Sequence, residues 1–295
     1  MTAKSYWSLV RDVSRSFYLT LRLLPSSVRP GITLAYLLAR ASDTIADTSC
    51  QKVSERLQAL QILQESLSKE DGGCDPNIVV ISAKLQTNPG ERRLLEQLPE
   101  LLKRLKTHPD RKEIQQVWNL ILEGQIFDLN YPFSDSLNSE QLDRYTFLVA
   151  GCVGKFWTQL CFKKIPRFAS LPIQRMEGLG ICYGKGLQLI NILRDRAEDA
   201  SRGRIYILKE DVADYCTKAF RAMGAGVEYA MAVNPSWLRY AILLPALIGI
   251  RTLKLIQSNS RRIKIPRTQV YQILILALPC LWKPSFAVRL VERSG

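Results

Sequence analysis

The sequence predicts an all-α protein. Three observations carry this: apolar residues recur at helical spacing in almost every segment, no strand-and-turn repeat breaks the pattern, and neither a Rossmann glycine fingerprint nor a P-loop is present. At 295 residues and 47% hydrophobic content the chain can build a real core, as one large helical domain or two small ones.

Residues 5–24 place Trp7, Val10, Val13, Phe17 and Leu21 on one helical face, with Pro25 as a stop. The other face offers Ser14-Arg15-Ser16-Phe17, hydroxyls and a guanidinium suited to phosphate oxygens. A second helix, starting near Pro30, presents Tyr36, Arg40, Asp43 and Asp47 at spacings of four, three and four. Residues 52–69 read as an exposed amphipathic helix and 71–76 as a loop. Residues 91–106 form one Leu-rich helix, and after Pro109 another runs down to Asp128 before Tyr131-Pro132; 124–128 serve either to line a cavity or, the preferred reading, as a helix end facing solvent.

Residues 141–162 are an apolar helix carrying Tyr145 and the small residues Ala150, Gly151 and Gly154, which serve either close packing or room for a ligand. Gly178, Gly180, Gly184 and Gly186 then lie in a single helix. At about 1 kcal/mol of helix propensity each, they imply a structural purpose, a long channel beside the helix being one. Residues 200–206 are a basic loop, 209–231 and 237–257 further helices, and 257–267 a basic turn holding Arg261, Arg262, Lys264 and Arg267.

Two stretches carry the chemistry. In residues 186–199 the helical stripe Gln188, Asn191, Asp195 and Asp199 is bordered by Leu187, Leu189, Ile190, Ile192 and Leu193. Two carboxylates one turn apart in apolar surroundings need cations to stay ionised. The upstream pair Asp43 and Asp47 repeats the pattern, again after an apolar run and an Arg. One such pair alone describes an ordinary solvated helix face; two, facing each other, make a nest of oxygen ligands. Mg²⁺ accepts carboxylates and completes its shell with water and substrate phosphate, so the inferred ligand is a diphosphate.

Lys+Arg 41 against Asp+Glu 27 gives a net charge of +14, which points to an anionic partner, while the lack of zinc-finger or RNP-like segments argues against nucleic acid. Seven cysteines at 50, 74, 152, 161, 182, 216 and 280 show no CxxC spacing; their odd number suits a reducing compartment and a role as core fillers. His108 is the only histidine, which excludes a histidine-based triad or metal site. The N-terminus does not read as a signal peptide. The apolar runs 240–250 and 270–282 contain Pro245 and Pro279 and fall short of the roughly 20 residues of a membrane span. A cytoplasmic protein, soluble or peripheral on a membrane, is expected.

The segments Ser14-Arg15-Ser16-Phe17, Arg40 through Asp47, Tyr145 with Val149-Ala150-Gly151-Cys152-Val153-Gly154, and Gln188 through Asp199 together resemble the squalene/phytoene synthase family of head-to-head prenyl diphosphate synthases. The resemblance covers most of the chain. It implies one domain over 1–295 with the all-α isoprenoid synthase fold around a central cavity, acting as a monomer. Residues 151–158, Thr252-Leu253, Asn259 and Ile263 to Arg267 look more like the squalene-forming members.

The resemblance then implies Mg²⁺ on Asp43, Asp47, Asp195 and Asp199, and farnesyl diphosphate held by Ser14, Arg15, Ser16, Phe17, Tyr36, Arg40, Gln188, Asn191 and Arg194. Tyr145 would sit near the reacting allylic carbons, and Arg204, Lys264 and Arg267 would meet the phosphates of NADPH. Ala46 departs from the Glu often found beside the last Asp in eukaryotic squalene synthases, and their C-terminal membrane anchor has no counterpart here. Phytoene, dehydrosqualene and presqualene diphosphate synthesis share the first half-reaction. Outside the enzymes, the rival is a helical module that binds acidic lipids.

Overall fold

The structure, a computed structural model, describes residues 3–14, 18, 21–22, 24–68, 81–131, 136–258, 265–283 and 285–286. The chain divides into two compact units, residues 1–131 and 132–295. Among the described residues the only strand-like pairing is an isolated bridge between Ala169 and Val233. The all-α expectation holds.

The first unit contains α1 (Ala3–Ser14), α2 (Arg29–Ala46), α3 (Val53–Ser68), α4 (Pro89–Glu96), α5 (Leu98–Thr107) and α6 (Arg111–Asn130). Pro30 opens α2, where a missing N–H costs nothing. The helix buries Leu37, Leu38, Ala41 and Ile45 completely and packs on α6. At that contact the fully buried Trp118 donates its indole N–H to the Ser42 hydroxyl at 3.3 Å, fixing the rotation of α2 one residue before Asp43. Asn88 caps α4 by accepting from the amides of Gly90 and Glu91.

The Leu-rich stretch 91–106 is two helices, not one. Gln97 separates α4 from α5, and Pro99 supplies the break, because the residues around a proline leave the helical hydrogen-bond ladder. Gly124 and Gln125 are buried within α6, which continues to Asn130, so 124–128 is helix interior rather than a solvent-facing end.

The second unit runs α7 (Ser139–Thr146), a π-helical turn (Phe147–Gly151), α8 (Cys152–Lys164), α9 (Ile173–Ser201), α10 (Val212–Ala232), α11 (Ser236–Gln257), α12 (Arg267–Ala277) and a 3₁₀ turn (Leu278–Leu281). Asn138 and Gln141 close a capping box at the start of α7. The 29-residue α9 is the axis, packed against α8, α10 and α11.

Its glycines serve contact, not a channel. A Cβ on Gly154 of α8 would lie 2.0 Å from the Gly180 carbonyl oxygen, and one on Gly184 would lie 2.5 Å from that of Ala150. The backbones of α8, the π turn and α9 therefore touch directly, and only hydrogen fits between them. Gly178 alone of the four meets nothing within 4 Å.

α11 passes straight through Pro245 for 22 residues, so it is longer than the apolar run suggested and long and apolar enough to cross a membrane. It also buries Leu238, Leu243, Ala246, Leu247, Ile250 and Leu253 against its neighbours. Cysteines 152, 161, 216 and 280 fill the core as expected, whereas Cys50 and Cys182 are exposed.

Candidate active site

In the first unit the polar edge of α2 gathers Tyr36, Arg40, Asp43 and Asp47. The Arg40 guanidinium pairs with Asp43 and, at 2.6 Å, with Glu91 of α4. Glu91 has no helical-spacing relation to the motif and was invisible in the sequence; the Asn88 cap sets its place. Arg56 of α3 donates to the Ala46 carbonyl at 2.6 Å, satisfying the C-terminal end of α2 between the two aspartates. It too went unread, since only packing brings α3 there.

Asp43 is partly exposed and Asp47 exposed. Desolvation and the neighbouring Asp47 charge push the Asp43 carboxyl up to about 6, against the pull of Arg40. Burial likewise raises the Tyr36 hydroxyl, opposed by Arg40 and reinforced by Asp43, and that hydroxyl donates to the Val13 carbonyl at 3.4 Å. The tyrosine thus ties α2 to the end of α1. Ser14 is buried and donates its hydroxyl to the Val10 carbonyl, leaving its oxygen as an acceptor rather than a free donor to phosphate. Arg15, Ser16 and Phe17 lie outside the described residues.

In the second unit one pocket of about 180 Å³ is lined by Tyr145, Gln188, Asn191, Ile192, Asp195, Asp199 and Tyr206. The whole predicted stripe of α9 faces it. Tyr145 lies in the last turn of α7, two residues before the π turn, and stacks on Tyr206, ring centroids 5.5 Å apart and planes 10° apart. A π turn displaces the residues around it from the regular helical register, which places Tyr145 beside α9.

Tyr206 closes the basic loop of residues 200–206, and no helical spacing links it to the stripe in the sequence. Gly203, at φ 80, lets the chain turn back, and the Arg204 amide then donates to the Asp199 carbonyl at 2.8 Å. Arg194 clamps Asp195 through two bonds of 2.8 and 2.5 Å, so here it holds its neighbouring carboxylate. Of the residues read as nucleotide contacts, Arg204 is half-buried, Lys264 lies outside the described residues, and so does the side chain of Arg267.

The donor chemistry suits Mg²⁺. Among the described residues no group of three or more His, Cys, Asp or Glu forms a metal cage. Each Asp pair instead offers two accessible carboxylates, the share that Mg²⁺ takes from protein when water and phosphate fill the rest of its shell. A cation beside Asp43 would also relieve the repulsion from Asp47 that raises its pKa.

The squalene/phytoene synthase family model matches residues 10–215. The yeast squalene synthase ERG9 of Saccharomyces cerevisiae is 30% identical over 216 residues, 71% of this chain and 46% of that protein. The presqualene diphosphate synthase of Zymomonas mobilis is 30% identical over 199 residues, 67% of this chain and 57% of that protein; phytoene synthases match at 25%. The chain spans about half the length of the curated relatives it matches. Among solved structures, TcSQS in a ligand complex superposes with a TM-score of 0.74 at 19% identity, covering 98% of this chain and 91% of that one. With that fold, and with the family's pattern running through both aspartate helices, the chain belongs to the squalene/phytoene synthase family.

Proposed function

We propose that this protein is a cytoplasmic, monomeric squalene synthase, its two units acting as one catalytic domain over 1–295, which joins two farnesyl diphosphates through presqualene diphosphate and reduces the product with NADPH. The observation that supports it most is the pocket in which a carboxylate and amide stripe meets a stacked tyrosine pair.

Asp43, Asp47, Asp195 and Asp199 would hold Mg²⁺, which when bound neutralises the departing diphosphate. Arg40, Gln188 and Asn191, with Arg15 and Ser16 as proposed partners, orient that diphosphate, and the two bonds from Arg194 hold the Asp195 carboxylate in position. Ile192 and the rings of Tyr145 and Tyr206 are the apolar part of the lining, and they would shield the allylic cation while the second substrate's double bond attacks it. As the cyclopropane closes, the Tyr145 hydroxyl passes the released proton towards the departing diphosphate, and Tyr206 holds the Tyr145 ring in place. NADPH would supply the hydride of the last step, with Arg204, Lys264 and Arg267 as the residues proposed to meet its phosphates.

The similarity to a presqualene diphosphate synthase favours one second reading, arrest after the first half-reaction; phytoene and dehydrosqualene synthesis differ from the main proposal in chain length or hydride delivery. Mass spectrometry of the product from farnesyl diphosphate and Mg²⁺, with and without NADPH, separates these. Squalene only when NADPH is present is the expected result. Presqualene diphosphate under both conditions selects the second reading. Asp43→Asn and Asp195→Asn should each lower turnover by about 10² or more, as loss of a principal electrostatic group does. A protein with no metal-dependent diphosphate release, or one indifferent to both substitutions, would be the lipid-binding module and not an enzyme.

A further inference from the structure

α12 and the 3₁₀ turn after it are packed on one side only. The Tyr240 hydroxyl of α11 donates to the Leu274 carbonyl at 2.7 Å, Arg251 donates to Gln269 at 3.2 Å, and Ala277 and Cys280 are fully buried. On the other side Tyr271, Ile275, Leu278 and Trp282 follow at intervals of four, three and four residues, with relative exposures of 62, 65, 41 and 77%, and Leu276 adds 59%. A helix packed on one face ordinarily turns polar residues outward. Scattered exposed leucines are normal, but a continuous apolar row of this length marks a contact surface.

Charge indicates what it contacts. From Tyr229 through Val291 the sequence holds nine Lys or Arg and no Asp or Glu, and the exposed Lys283 directly follows Trp282. A second copy of the same surface would bring like charges together and repel. Tyrosine and tryptophan beside aliphatic residues, within an acid-free basic stretch, are the make-up of a helix lying in the plane of an anionic lipid surface. The rings sit at headgroup depth, and cations attract the lipid phosphates.

We propose that the row formed by Tyr271, Ile275, Leu276, Leu278 and Trp282 docks on an anionic phospholipid bilayer. The docking is independent of the reaction proposed above, so either can fail alone. The test is flotation of the full chain with vesicles of phosphatidylcholine containing phosphatidylglycerol, against phosphatidylcholine alone.

Binding is expected to the anionic vesicles, to weaken as salt rises, and to drop more than about tenfold in the Ile275→Glu/Trp282→Glu variant with its melting temperature kept, since two large apolar side chains leave the lipid. Should that variant fail to fold, Tyr271→Ser and Trp282→Ser singly should each weaken binding severalfold. Equal binding to both vesicle types, no binding, or binding that these substitutions leave unchanged overturns the proposal. So does a parent dimer that the double variant splits without any vesicle binding, which would make the row a self-association surface.

Discussion

Asp43 shows how one carboxylate can be set against its own ionisation. Its pKa is raised from 3.8 to about 6, so between those values the folded chain keeps a proton that the unfolded chain has lost. The metal-free protein should therefore lose stability as pH rises from 3.8 to about 6, and Mg²⁺ binding should strengthen over the same interval as the proton leaves. Glu91 contributes to the raised value through its own negative charge and also shares Arg40 with Asp43. Glu91→Gln is thus expected to move the acid limb of Mg²⁺ affinity, measured by calorimetric titration, to lower pH. An unmoved limb would show that Glu91 only anchors α4. The motif itself was legible, because Tyr36, Arg40, Asp43 and Asp47 are linked by local spacing. Glu91, Arg56 and Tyr206 were not, because their partners are reached only through packing or a loop turn.

Among elements, α9 separates the two meanings of a helical glycine. Gly154→Ala in α8 would drive a methyl group into the Gly180 backbone, which has no rotamer with which to yield. A loss of about 1–3 kcal/mol or more is expected in denaturant unfolding. Gly178→Ala meets open space inside a helix and should gain about 0.4–1 kcal/mol. Both substitutions raise helix propensity equally, so opposite signs isolate the packing contribution. The propensity cost of the glycines could be read from sequence, and it correctly implied a purpose. Which purpose depended on what faces them, and for Gly154, Gly180 and Gly184 that is neighbouring backbone. The division of 91–106 into α4 and α5 was legible at Pro99 but was outweighed by leucine periodicity continuing on both sides of it.

At the scale of the whole molecule, the two aspartate helices belong to different compact units, α2 to the first and α9 to the second. If both pairs serve a single ligand, Mg²⁺ with inorganic diphosphate should raise the melting temperature by several degrees when present at about 100 times its Kd. Asp47→Asn in one unit and Asp199→Asn in the other should each abolish most of that shift. Retention of the full shift in either variant would confine the ligand to the other unit. By itself the sequence determined the helical class, the order of the helices and the two aspartate stripes, because each is written in contacts three or four residues apart. Tertiary structure alone decided that glycines join α8 to α9, that Glu91 shares Arg40, that Tyr206 stacks on Tyr145, and that α12 leaves its apolar row uncovered. Those depend on which distant surfaces meet, and helical periodicity holds no record of a partner far away in the chain.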